Sequence, residues 1–137
     1  MEKGSVSKPV PHPTDISAPY WESLSKGVLT LQRCARCQKF RHYPRLLCDG
    51  CYSMDVHWVE ASGRGEIHSW TVAHHAFHPS FVDDLPYVLA VVELEEGVRG
   101  LGRLRGVSPT EIRIGLKVQF TVERRADGLA LPVFVRR

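Results

Sequence analysis

Cys34-Ala35-Arg36-Cys37 and Cys48-Asp49-Gly50-Cys51 are two C-x-x-C knuckles with ten residues between them, and they decide how the rest of the chain is read. A knuckle of this kind brings two sulfurs to one ion while nearby backbone amides point at them. Two knuckles complete a tetrahedral site with Zn–S bonds of about 2.3 Å. The chain has four cysteines, all in these pairs, so no further ligand is in evidence and the site reads as closed and structural, with one Zn²⁺ per chain held by Cys34, Cys37, Cys48 and Cys51. A tetrahedral S₄ set would also accept iron, and zinc is the expected occupant. Paired thiols of this spacing point to a reducing compartment and to metal rather than to disulfides.

Outward from the knuckles, Val28 to Arg33 alternates as a strand leading in, and His57 to Glu60 reads as a short return strand, so the ribbon spans 28–60. Upstream, 1–27 is an extended arm and a short helix. Pro9, Pro11 and Pro13 fix φ on alternate residues and remove amide donors. Ser17 is placed to cap a helix with Pro19 in its first turn, carrying Tyr20, Trp21 and Leu24 inward and stopping at Gly27.

Downstream, 61–137 is punctuated by turn residues into short alternating runs, the pattern of a closed β barrel. Strands are expected at about Gly65–His74, Tyr87–Leu94, Arg99–Leu104, Leu116–Glu123 and Ala130–Val135, with a short helix near Ser108–Ile114. Five strands with a helix before the fourth is the plan of an OB fold. Gly100 and Gly102 inside the third strand suggest curvature or a close backbone approach. The fold class is thus mainly β: an N-terminal helix, a zinc ribbon, then a five-stranded OB barrel.

Composition narrows function. Hydrophobic residues make up 43% and charged residues 24% of 137, a globular balance. No apolar run approaches the roughly 20 residues of a spanning helix, so a soluble, cytoplasmic protein with no membrane partner is expected. Four thiolates around Zn²⁺ carry −2 together, which brings the formal +3 down to about +1. This is no polycation for a phosphate backbone. Arg33, Arg36, Lys39, Arg41 and Arg45 crowd the ribbon, as a nucleic-acid footprint or, more simply, as counter-charge for the anionic metal site.

Every cysteine is committed to metal, and no G-x-S-x-G, P-loop or G-x-G-x-x-G sequence is present, so no catalytic residue is assigned. His74, His75 and His78 run from the first barrel strand into a loop closed by Pro79, where partner contact is expected rather than a second metal; Phe77 and Phe81 would supply its apolar anchors. Arg99, Arg103 and Arg105 share parity on the third strand and form a candidate stripe for a CoA phosphate or an acidic partner surface. The alternative there is a solvated barrel face.

The order of motifs adds a further reading. Pro19-Tyr20-Trp21, Leu31-Gln32-Arg33 before the first knuckle, Tyr43-Pro44-Arg45, Gly63-Arg64-Gly65, Leu85-Pro86-Tyr87-Val88, Ile114-Gly115-Leu116 and Leu131-Pro132-Val133-Phe134 together resemble the family that joins a rubredoxin-like zinc ribbon to an OB fold and accompanies acyl-CoA enzymes. One departure is Gln38 after the first knuckle, where that family usually has glycine. The resemblance implies a non-catalytic accessory subunit of a thiolase-superfamily enzyme, a thiolase or aldolase, in a two-plus-two heterotetramer. The stretch Thr71 to Pro79 looks most like members paired with steroid side-chain aldolases. Contact with acyl-CoA would be indirect. An OB-fold nucleic-acid binder is the alternative function, and CoA-thioester binding or hydrolysis by the barrel alone is a third, for which no nucleophile is found.

Overall fold

A computed structural model describes residues 7–137. The first six residues of the expected arm lie outside the described residues. Helix α1 (Ala18–Ser25) buries Tyr20 and Leu24. It ends where Gly27, at φ +78°, donates to the Leu24 carbonyl at 2.9 Å and Val28 donates to that of Ser23 at 3.0 Å. This paired closure is a Schellman motif, which favours glycine at its left-handed position. The start departs from expectation. Ser17 makes no side-chain cap, because its hydroxyl accepts from the amide of Thr14 at 2.9 Å instead.

Strand β1 (Thr30–Cys34) pairs with β3 (Val56–Glu60) and with the two-residue β2 (Phe40–Arg41), giving a three-stranded sheet in the order β2-β1-β3. β2 was not expected from the sequence, since two residues show no alternation. Beneath this sheet sits a buried polar pair. Arg41 donates from Nε to Gln32 Oε1 at 2.9 Å, and both residues are 3% exposed.

The remaining strands are β4 (Arg64–Ala73), β5 (Tyr87–Leu94), β6 (Arg99–Arg105), β7 (Lys117–Arg124) and β8 (Ala130–Arg136). They close into a barrel in the order β4-β5-β6-β8-β7, with only β6 and β8 parallel. This is the five-stranded OB arrangement expected. Alternation chose the buried face: Val88, Ala90, Val92 and Leu94 on β5 and Val118 and Phe120 on β7 point inward. A Cβ on Gly102 would stand 3.0 Å from the Phe134 ring, so the missing side chain is what admits that ring. The helix expected near Ser108–Ile114 is a single 3-10 turn, Pro109–Glu111, with Ile112 buried behind it.

Ribbon and barrel share one core. Tyr20 and Leu24 of α1 and Leu29 and Leu31 of the ribbon belong to the same buried cluster as Val88, Leu104, Phe120 and Phe134 of the barrel. A second seam lies at the β6 edge, where the Leu101 amide donates to the Tyr43 hydroxyl oxygen at 2.9 Å.

The arm is anchored to the rest of the chain. Lys8 Nζ meets Asp84 at 2.8 Å and lies 5.5 Å from the Phe81 ring centre, and Arg125 donates to the Pro9 carbonyl at 3.1 Å. These contacts join residues far apart in sequence, which local pattern does not reveal.

Candidate metal centre and docking surface

The two knuckles repeat one local geometry. In the first, Gln38 donates its amide to the Cys34 carbonyl at 3.0 Å; in the second, Tyr52 donates to that of Cys48 at 2.9 Å. Both turn residues take positive φ, 69° at Gln38 and 61° at Tyr52. That explains why glycine suits the position and what its replacement costs. Amides then aim at sulfur: Cys37 N lies 3.4 Å from Cys34 Sγ, and Gly50 N lies 3.3 Å from Cys48 Sγ. The Cys34 thiol is pulled down to about 6, chiefly by the Cys37 amide, and Cys48 is lowered by the amides of Cys51 and Gly50. Amides so placed favour the thiolate, the form a metal binds.

All four sulfurs lie within 4.8 Å of one another, with Cys34–Cys51 and Cys37–Cys48 at 3.5 Å. A disulfide would need about 2.05 Å. A tetrahedron with 2.3 Å arms has edges of roughly 3.8 Å, so the donor set fits one Zn²⁺. Among the described residues these cysteines are the sole gathering of three or more metal-ligating side chains. The ribbon's cations are largely occupied: Lys39 pairs with Asp49 at 3.0 Å, Arg33 lies 4.9 Å from the Phe40 ring centre and bonds the Gln38 carbonyl, and Arg41 is buried. Phe40 packs against the core, whereas Tyr52 is 76% exposed.

The histidines do not converge. His78 accepts the Ser80 amide at 3.2 Å and opens the 3-10 turn Pro79–Asp84, while His74 and His75 are exposed and His75 stands edge-on to Phe77 at 4.8 Å. Phe77 is 94% exposed. Phe81 is not: it is half-buried between Lys8, Tyr87 and His78, so it holds the loop rather than projecting from it.

The arginine stripe is mostly neutralised within the chain. Arg103 bonds Asp84 at 3.1 Å and lies 4.3 Å from the Tyr87 ring centre, and Arg105 bonds Glu123 at 2.7 Å. Arg99, at the strand's start, is exposed and makes no ion pair among the described residues. The depression at Arg103 and Arg105 holds about 220 Å³, below the roughly 300 Å³ at which small-molecule pockets begin. Sequence reasoning missed Asp84, the carboxylate shared by Lys8 and Arg103 that pins arm and loop to β6, because Asp83-Asp84 reads as turn chemistry.

Family models match both parts of the chain. Residues 21–56 match the rubredoxin-like zinc ribbon domain of ChsH2, and residues 58–123 match its C-terminal OB-fold domain. The ChsH2 (DUF35) chain of a solved Ltp2–ChsH2 aldolase superposes with a TM-score of 0.85 at 40% identity, over 93% of this chain and 98% of that one. The chain belongs to the ChsH2 family.

Other family relatives carry different names. A probable enoyl-CoA hydratase alpha subunit of Thermomonospora curvata is 40% identical over 97% of this chain and 41% of its own length. The 3-oxo-4,17-pregnadiene-20-carboxyl-CoA hydratase alpha subunit of Mycobacterium tuberculosis is 38% identical over 74% of this chain and 32% of its own length. This chain thus spans less than half the length of these two longer relatives. A DUF35 domain-containing scaffold protein of Methanocaldococcus jannaschii is 32% identical over 70% of this chain and 69% of its own. No helix among the described residues is long and apolar enough to cross a membrane.

Proposed function

We propose that this chain is the non-catalytic subunit of a thiolase-like carbon–carbon bond enzyme acting on acyl-CoA, an aldolase or thiolase. The observation that carries the reading is the near full-length likeness to the ChsH2 chain of an aldolase complex. Its chemistry agrees: the four cysteines face one another around a closed tetrahedral site for a single structural Zn²⁺, which leaves no thiol free as a nucleophile. The contribution to rate is positional. Packed against a catalytic subunit, barrel and ribbon order the groups that line the acyl-CoA channel, and orientation of this kind lowers barriers without new bonds.

The assembly is two copies of this chain on a partner dimer, in the cytoplasm where the thiols stay reduced. A steroid acyl-CoA is the substrate class favoured by the pregnadiene-carboxyl-CoA relative and by the Thr71–Pro79 stretch. Contact with CoA runs through the partner, Arg99 being the one stripe arginine left for a phosphate. The nucleic-acid alternative loses support with the ribbon's cations already engaged.

The test is co-expression with a thiolase-fold subunit from the same organism, followed by light scattering and acyl-CoA turnover. A stable complex is expected, active only when both chains are present. Phe77→Ala should weaken assembly about tenfold and leave zinc and stability unchanged, as its ring touches little in the free chain. A monodisperse monomer beside a partner that is fully active alone refutes the reading, and a steep salt dependence of oligonucleotide binding would then favour nucleic acid.

A further inference from the structure

The barrel has two stretches of strand edge that its own strands leave unpaired, and it treats them differently. β8 pairs with β6 only over Arg103–Arg105, and upstream of that the edge is covered by the ribbon, with Tyr43 taking the Leu101 amide. β7 pairs with β4 only over Arg64–Glu66, after which Ile67 exchanges bonds with Leu116 and Gly115 at 2.9 and 2.8 Å. From His68 to Ala73, β4 is held by β5 alone.

Its open side can be read from the register. Leu94 donates to Val98 on the β6 side, so alternation turns Val91, Leu89 and Tyr87 toward β4, where they oppose Ser69, Thr71 and Ala73. Trp70 and Val72 therefore direct their N–H and C=O groups outward. His68, Ser69, Trp70 and Thr71 are all exposed, which is unusual for consecutive residues of a barrel strand. The β-bulge between Ile67 and Ser69 produces this by turning the strand away from β7. Edges of this kind are normally blunted by lysine, proline or a covering segment. Here no Asp, Glu, Lys or Arg occurs from Ile67 to Val82, and no proline before Pro79.

We propose that the open edge of β4, centred on Trp70 and Val72, seats an extended segment of the partner subunit as an added strand, with Phe77 anchoring the same partner beside it. The inference rests on the accessory-subunit reading and names its docking surface. The chemistry selects the occupant: unpaired backbone groups call for another backbone, and an uncharged edge with Trp70 37% exposed on its core-facing side calls for apolar residues at alternate positions. A second copy is disfavoured by size. Six residues span about 20 Å, and two such edges bury less than the roughly 1,200 Å² of a stable association. A larger partner reaches both the edge and the Phe77 loop.

Hydrogen exchange, measured on the chain alone and on the complex with its co-expressed thiolase-fold subunit, tests this. Amides of residues 68–73 should exchange at least about tenfold more slowly in the complex. Val72→Pro, which removes an outward donor while leaving the β5 ladder intact, should weaken association at least about tenfold with zinc content unchanged. A complex whose residues 68–73 exchange as fast as in the free chain overturns the edge and leaves the accessory reading standing. Failure to form any complex overturns both. Protection that rises with concentration in the chain alone, together with a dimer's mass, assigns the edge to a second copy and overturns the proposed occupant.

Discussion

Tyr43, in the ribbon, receives the amide hydrogen of Leu101, in the barrel, 58 positions further along the chain. This bond caps a backbone donor that β8 does not reach, and it ties the metal-bearing part of the chain to the strand carrying Arg99 and Arg103. Tyr43→Phe keeps the ring and removes the acceptor. The expected loss is about 1 kcal/mol, seen as a Tm lower by roughly 3–5 °C and faster exchange at Leu101. An unchanged Leu101 exchange rate would show that the seam is held by packing alone.

His42 lies against Tyr20 and Tyr43, and burial, with Arg45 nearby, lowers its pKa to about 4. In the unfolded chain it titrates near 6.5. Between those values the unfolded state binds the proton and the folded state does not, so stability falls as pH drops from about 6.5 to 4, by on the order of 2–3 kcal/mol. His42→Phe should flatten that part of the profile. Urea midpoints measured between pH 7.5 and 4.5 for both proteins check it, and parallel slopes would exclude His42 as the source. Acid release of zinc is common to both and cancels in the difference.

Cys48→Ser should abolish zinc binding and lower stability by more than about 4 kcal/mol, because binding energy at a structural site is folding energy. Metal analysis and thermal unfolding are the measurements. With one shared core, the barrel should lose stability in the same transition as the ribbon. A barrel that unfolds at its original temperature would contradict the shared core.

Gln38→Gly should stabilise the chain by about 0.5–1 kcal/mol, since Gln38 sits at φ 69° where a side chain is strained. Its side-chain bond to the Ala35 carbonyl, at 3.1 Å on the exposed surface, offsets part of the gain. A lower Tm in the glycine variant would mean that this bond outweighs the strain.

What could be read in the sequence was what depends on neighbours along the chain. The cysteine pairs declare their geometry within four residues each, and the span Tyr87–Leu94 was bounded correctly because its alternation is clean and its flanks are turn residues. What escaped depends on distant partners. Arg103 looked free on its strand, yet Asp84 comes to it from the loop before β5 and Tyr87 from the start of β5 itself. Phe81 and Phe77 looked alike, and only the arm's Lys8 and the ring of Tyr87 separate a packed residue from a projecting one. The open edge of β4 was invisible for the same reason: which strands pair, and for how far, is a property of the closed barrel.

Helix α1 serves two masters, since Tyr20 and Leu24 fill space that the ribbon and the barrel both border. A ribbon transplanted onto a foreign barrel would arrive without part of its apolar footing, and a barrel stripped of its ribbon and helix would expose the part of β8 on which α1 had lain. Recombination between genes can therefore move this module profitably only as one cassette, helix included, which is the form in which a longer relative carries it, aligned over 97% of the present chain.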